Sequence, residues 1–169
     1  TTEAINKLAH RFYFSSGDMV LTTGMEHHSN DLPWRNKALV KYVETDAEGL
    51  LDIADLEKKL KHNYPRVKLL TVTGASNVTG HINDIHRLAE MAHEHKALIM
   101  VDGAQLVPHQ RVDIKANHHP QHIDFIAFSG HKIYAPFGTG VLIGPRDVFL
   151  KGDPEYVGGG TVDMVTSAK

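Results

Sequence analysis

An α/β fold built on a mostly parallel, doubly wound sheet is predicted by three features of the sequence. Mainly apolar runs at residues 19–22, 67–72, 97–101 and 123–128, the third of them unbroken, have the length and composition of strands covered on both faces. Between several of them lie stretches whose apolar residues recur at helical spacing, with charges on the opposite side. A last run, 140–143, follows its predecessor too closely for a crossover and is expected to return antiparallel. Strands alternating with helices in this way specify a layered α/β sheet.

Thr1 and Thr2 open a helical pattern in which Ala4, Ile5, Leu8 and Phe12 share a face. Threonine is a good N-cap, and a helix N-terminus attracts phosphate through its free N–H groups and its dipole. Gly17-Asp18 leads into the first strand, followed by the polar run Gly24-Met25-Glu26-His27-His28-Ser29-Asn30. Adjacent histidines on a loop are ordinarily just solvated. Pro33 and Trp34 begin a short helix that sets an aromatic ring against the body of the domain, 38–44 reads as a strand, and 46–49 as a turn. Asp52 caps an amphipathic helix with Ile53, Leu56 and Leu60 inward and with Asp55–Lys59 and Glu57–Lys61 paired at i,i+4 on its outer face. Pro65 marks its stop. The strand 67–72 runs into Gly74-Ala75-Ser76-Asn77, where a polar group is expected at the carboxyl edge of the sheet. Asn83 or Asp84 starts the next helix, with Ile85, Leu88, Ala89 and Ala92 toward the sheet and Lys96 in its last turn.

The chemistry concentrates where two runs end. The run 97–101 ends on Asp102-Gly103, and 123–128 ends on Ser129-Gly130-His131-Lys132. Roughly thirty residues separate Asp102 from Lys132, enough for a crossover between parallel strands. Ligands of such sheets sit off the carboxyl ends of the strands, so both residues would face one crevice. A lysine there is unusual, because lysine is seldom buried unpaired, and its free amine can condense with an aldehyde to a Schiff base. An aspartate beside a pyridine nitrogen keeps that ring protonated. Lysine and aspartate together match what pyridoxal phosphate requires. The plain alternatives are a surface lysine in a turn and an aspartate capping its own turn.

The segments EHHSN, VDGAQ and FSGHKIYAP, taken together and in this order, resemble the class V pyridoxal-phosphate enzymes of fold type I. The likeness is greatest to SufS-type cysteine desulfurases and selenocysteine lyases and covers nearly the whole chain. It implies that Lys132 holds the cofactor, that Asp102 pairs with its ring nitrogen, and that His27 stacks on the ring and moves protons. It further implies Gln105 on the phenolic oxygen, Asn77 near the ring hydroxyl and the substrate carboxylate, and Thr2, Ser129 and His131 on the phosphate. The implied reaction is carbon–sulfur cleavage of cysteine in a homodimer that hands sulfur to an acceptor protein. Other class V chemistries (aminotransferase, epimerase, selenocysteine lyase) stay open, as does a binding or scaffold protein that kept the fold and lost turnover. The chain reads GASN and YAPFG where many members read HVSN and YGPTG. By the same likeness residues 1–169 are a cofactor-binding large domain in part, with an N-terminal segment and a smaller C-terminal domain absent.

Composition sets limits. The 169 residues, 41% hydrophobic and 22% charged, suit one globular domain. A net charge of -2 gives no electrostatic case for nucleic acid or an anionic membrane, and no apolar run reaches a membrane span. With no signal peptide and no cysteine, a cytoplasmic protein is expected. The absence of cysteine also removes any persulfide-forming thiol from these residues, so the resemblance implies one beyond Lys169 and an inactive fragment. His118, His119 and His122 flank Pro120 and Gln121 without an acidic or cysteine partner at regular spacing, and no metal site is expected. Gly158-Gly159-Gly160 matches a glycine run near the active-site mouth of the family.

Overall fold

Six strands form one sheet in the order β2-β1-β3-β4-β5-β6 in the computed structural model, which describes residues 1–151 and 155–156. The glycine run at 158–160 lies outside the described residues. The strands are β1 (Met19–Thr23), β2 (Leu39–Val43), β3 (Val67–Thr73), β4 (Leu98–Asp102), β5 (Phe125–Ser129) and β6 (Gly140–Ile143). The first five are parallel and β6 alone pairs antiparallel, with Ile126 opposite Ile143. The helices are α1 (Thr2–Arg11), α2 (Leu32–Arg35), α3 (Ile53–His62), α4 (Ile85–Glu94) and α5 (Arg146–Phe149). None is long and apolar enough to cross a membrane.

Side chains alternate across the pleat, and the five parallel strands feed two cores, while β6 adds only Leu142 to one of them. Leu70, Ile99 and Ile126 pack on one face with Leu56, Leu60, Leu88 and Ala92 of α3 and α4. Leu69, Met100 and Ala127 pack on the other with Ile5 and Leu8 of α1 and with Trp34 of α2. Fully burying one such leucine stabilises by about 1.5–3 kcal/mol. That exceeds any difference in helix propensity at the same position, which is about 0.7 kcal/mol at most for ordinary residues. The apolar pattern therefore decides the fold.

Local details settle one alternative and differ from expectation in three places. Of the two candidates for the start of α4, Asp84 is the cap, accepting from Arg87 N at 3.1 Å. Asn83 is buried and donates to Thr73 O at 2.8 Å, filling a backbone acceptor at the strand end. Lys96 lies beyond α4 in a left-handed conformation, φ 57°, closing the turn into β4 rather than ending the helix. Thr1 occupies the N-cap position of α1 without a side-chain cap bond, because its hydroxyl turns to Ser129. On α3 the Asp55–Lys59 pair closes at 2.6 Å and Asp52 caps as expected, whereas Glu57–Lys61 does not close into an ion pair.

Two features of the sheet position the site. The chain passes from β2 back across β1 to β3, so the strand order reverses between β1 and β3. There the ladder stops early, at Leu21 opposite Leu70, while β1–β2 continues to Thr23↔Val43 and β3–β4 to Thr73↔Asp102. In contrast, β4 is gripped at both ends. Ile99 N donates to the Asp124 carboxylate at 2.9 Å, and Gly74 N donates to Asp102 O at 2.8 Å.

Candidate active site

All eight residues singled out from the sequence border one cleft of about 250 Å³ at the carboxyl edge of the sheet: Thr2, His27, Asn77, Asp102, Gln105, Ser129, His131 and Lys132. Asp102 is the last residue of β4 and is 4% exposed. One of its oxygens accepts from Ala104 N at 2.9 Å. Burial pushes its carboxyl group above the ordinary aspartate value, opposed by that N–H, by the Lys132 ammonium and by His27. Lys132 stands half-buried in the 3-10 turn Gly130–Ile133 that leaves β5, and Tyr134, left-handed at φ 64°, ends the turn. Lysine and aspartate attract across the cleft without closing into an ion pair.

A second wall is made of hydroxyls at the N-terminus of α1. The Ser129 hydroxyl meets the Thr1 hydroxyl at 2.5 Å and the Thr1 backbone nitrogen at 2.6 Å. The Thr2 hydroxyl meets that of Ser29 at 2.7 Å. Short polar groups converging on a helix N-terminus make an anion-binding corner. His131 borders it from the far side, its ring stacked on Phe137 with centroids 5.3 Å apart.

His27 reaches the cleft from the loop after β1. Its Nδ1 accepts from Ser29 N at 3.1 Å, so the proton of the neutral ring sits on Nε2. Gln105, half-buried, follows Asp102 by one turn. Asn77 is exposed in the turn after β3, where Ser76 Oγ accepts from Val78 N at 3.2 Å and Thr79 N at 3.1 Å.

Sequence reasoning passed over Thr1, Ser29, Thr73 and Glu26. Thr1, Ser29 and Thr73 border the cleft, and Glu26 lies beside it at the end of β1. A clue to Ser29 was its place two residues after His27, the spacing at which a residue closes a short turn on its neighbour. The histidines 118, 119 and 122 do not reach the cleft. His122 is buried with Nδ1 at 2.9 Å from Ile114 O, and His119 Nδ1 accepts from Gln121 N at 3.1 Å. Both serve the loop between β4 and β5. Among the described residues no group of three potential ligands gathers for a metal.

The model of the family described as Aminotransferase class-V matches residues 1–169. A probable cysteine desulfurase of Halalkalibacterium halodurans is 38% identical over 173 residues, covering 98% of this chain and 41% of that protein. A cysteine desulfurase of Pectobacterium carotovorum is 41% identical over 170 residues, covering 96% of this chain and 40% of the other. Among solved structures, the cysteine desulfurase CsdA of Escherichia coli superposes with a TM-score of 0.85 at 35% identity, over 98% of this chain and 42% of its own. The apo cysteine desulfurase of Thermococcus onnurineus follows at 0.82 and 37%, over 98% of this chain and 41% of its own. The chain thus spans about two fifths of the length of the relatives it matches. The match over every residue, on a six-stranded sheet with a single antiparallel pair, has one meaning: the chain belongs to the aminotransferase class-V family.

Proposed function

We propose that this chain is the cofactor-holding part of a pyridoxal-phosphate-dependent cysteine desulfurase. One observation carries the proposal. A buried carboxylate and a half-buried lysine, at the ends of adjacent parallel strands, face each other across a cleft with an anion-binding corner. The residues present fit the cofactor: Asp102 has one oxygen engaged by a backbone N–H, and the hydroxyls at the α1 N-terminus suit a phosphate.

When bound, pyridoxal phosphate supplies an electron sink for bonds at the substrate α-carbon. Lys132 is the amine that would hold its aldehyde, and Asp102 is the anion that would keep its ring nitrogen protonated. Thr2, Ser129 and His131 would bind the phosphate, Gln105 the phenolic oxygen, and Asn77 the substrate carboxylate. His27 would lie against the ring with its Nε2 proton available. The Lys132 amine would also be the group that holds and moves a proton at the substrate carbons.

Desulfuration also needs a thiol to take the sulfur, and these residues contain no cysteine. The reading therefore places the nucleophilic cysteine, the smaller domain and the substrate-carboxylate arginine outside residues 1–169. A homodimer, a sulfur-acceptor protein and a cytoplasmic location belong to the same proposal; the names of the relatives support its cysteine desulfurase activity.

The test uses the full-length protein with pyridoxal phosphate. It should absorb in the visible, lose that band on borohydride reduction with the label on Lys132, and release sulfide from cysteine in the presence of a reductant. A label on another lysine overturns the site assignment, and absence of sulfide release from a correctly labelled protein overturns the substrate.

A further inference from the structure

Glu26 takes no part in the chemistry above, yet it is the most heavily bonded carboxylate beside the cleft. Its oxygens accept from Thr23 Oγ1 at 2.6 Å, Asn30 Nδ2 at 2.7 Å and Thr73 N at 2.8 Å. The residue keeps part of its surface in solvent while its carboxyl group is turned inward. Thr23 ends β1 and Thr73 ends β3, the two strands between which the order of the sheet reverses. Their ladder has already stopped at Leu21↔Leu70, so the Thr73 N–H has no partner on β1. Glu26 supplies that partner, standing in for a missing strand neighbour.

The bonds continue into the core. Asn30 Oδ1 accepts from Thr71 Oγ1 at 2.6 Å and from Trp34 Nε1 at 3.4 Å, and Asn30, Thr71 and Trp34 are all fully buried. The loop from Gly24 to Asn30 is thereby fastened at two points, Glu26 and Asn30, with His27 held between them. Asn30 Nδ2 and Thr73 N–H can only donate, one to each oxygen, so both oxygens of the Glu26 carboxyl must accept, while the Thr23 hydroxyl can turn either way.

We propose that Glu26 is a positioning residue for His27: it closes the gap between β1 and β3 and so fixes the imidazole against the cleft. The assignment rests on the reading of His27 as a group that touches the cofactor ring. Because Thr73 lies opposite Asp102 in the β3–β4 ladder, the same carboxyl also ties the His27 loop to the strand that carries the ring-binding aspartate.

Glutamine at position 26 keeps the size but turns a donor toward Asn30, which is itself a donor. The test compares Glu26→Gln, His27→Ala and the double variant in the full-length enzyme loaded with pyridoxal phosphate. Two readouts are followed: sulfide release from cysteine, and the visible circular dichroism of the bound cofactor. Glu26→Gln is expected to lower kcat about tenfold or more with KM little changed, and to shift the dichroism toward that of His27→Ala. The double variant should be no worse than His27→Ala alone, since a residue acting through His27 has nothing further to lose. Thr23→Val, which deletes one donor without changing shape, should move both readouts the same way by a smaller factor.

Amide exchange in the unloaded protein gives an independent readout. Residues 24–30 should exchange at least tenfold faster in Glu26→Gln, with 98–102 unchanged. Independent, multiplying losses in the double variant would overturn the positioning role, as would unchanged loop exchange. A His27→Ala enzyme with normal turnover and dichroism would instead overturn the reading of His27 itself.

Discussion

Residues 24–30 and 130–139 both leave the carboxyl edge of the sheet and both border the cleft, yet they are secured in opposite ways. The first loop sends side chains inward to a buried polar network that reaches the ends of β1 and β3. The second is held by bonds that begin and end within itself: Gly130 N to Thr139 O at 3.0 Å, Ala135 N to Gly130 O at 3.0 Å, and Thr139 Oγ1 to Pro136 O at 2.8 Å. Its large side chains, Tyr134 and Phe137, stand almost wholly in solvent. The difference matches the work proposed for each. A ring that stacks must keep its plane, whereas an amine that attaches, lets go and moves protons must keep its reach. Anchoring through a buried network suits the first, and a self-contained turn suits the second.

The largest expected effect comes from the second loop. Lys132→Ala should abolish borohydride labelling and lower turnover by on the order of 10³-fold or more, because both attachment and proton transfer are lost. The melting temperature of the unloaded protein should hardly move, since among the described residues Lys132 supports no neighbour by a hydrogen bond. A large loss of stability in this variant would break the contrast.

Next is the first loop. Asn30→Ala strips the partner from Thr71 and one donor from Glu26, all at buried or half-buried atoms. It should cost about 2–4 kcal/mol of stability in denaturant unfolding, since each orphaned polar group costs about 1–3 kcal/mol. A cost below 1 kcal/mol would mean the network does not hold the loop.

Glu26 sharpens the comparison through pH. Burial, opposed by its three hydrogen bonds, pushes its carboxyl up to about 7 from an ordinary 4.5. A raised acid binds its proton more tightly in the folded state than in the unfolded chain. Its contribution to stability is therefore whole below about pH 4.5 and is lost as pH rises through about 7. The loss is on the order of 3 kcal/mol for a shift of this size. Urea unfolding between those limits should show a downward slope with pH that is flatter in Glu26→Gln. Asp102, raised for the same reason, would leave a residual slope of the same sign. Identical slopes in both proteins would remove Glu26 as its source.

The smallest effect is expected at Gly130. A methyl group there would meet Thr139 Oγ1, and would lie 3.1 Å from Ala135 Cβ and 3.2 Å from Thr139 Cβ. Gly130→Ala should cost about 1–2 kcal/mol, since the neighbours are side chains on an exposed turn that can give way. A cost as large as that of Asn30→Ala would show the second loop to be as tightly held as the first.

Much of this was legible in the sequence because it rests on patterns that burial enforces. The mainly apolar runs at 67–72 and 97–101 suit covered strands, and the short link before Gly140 leaves too few residues for a crossover, so the return is antiparallel. Asp102 and Lys132 stood out because charge at the end of such a run is costly without a purpose. Glu26 did not stand out, since a glutamate in a polar stretch carries no signal of burial. Its role depends on a ladder that stops early between strands far apart in sequence, which no local pattern records. Lys96 was misplaced, and Asn83 could not be told from Asp84 as the cap of α4, for a related reason. Whether a polar residue caps a helix or serves a neighbouring strand is decided by tertiary contacts, not by its own propensity.

The grip on β4 at both ends bears on how this protein can change over time. Asp124 holds the entry of the strand at Ile99, and Gly74 holds its exit at Asp102. Adding or deleting one residue between those points would turn the strand's side chains to the wrong faces, exposing Ile99 or Val101 and swinging the Asp102 carboxylate off the cleft. The segment is free to vary in letters but not in length. The connection from 104 to 122 carries no such restriction on its exposed stretch around His118 and His119, so insertions and deletions among descendants of this gene should collect there and spare the strand.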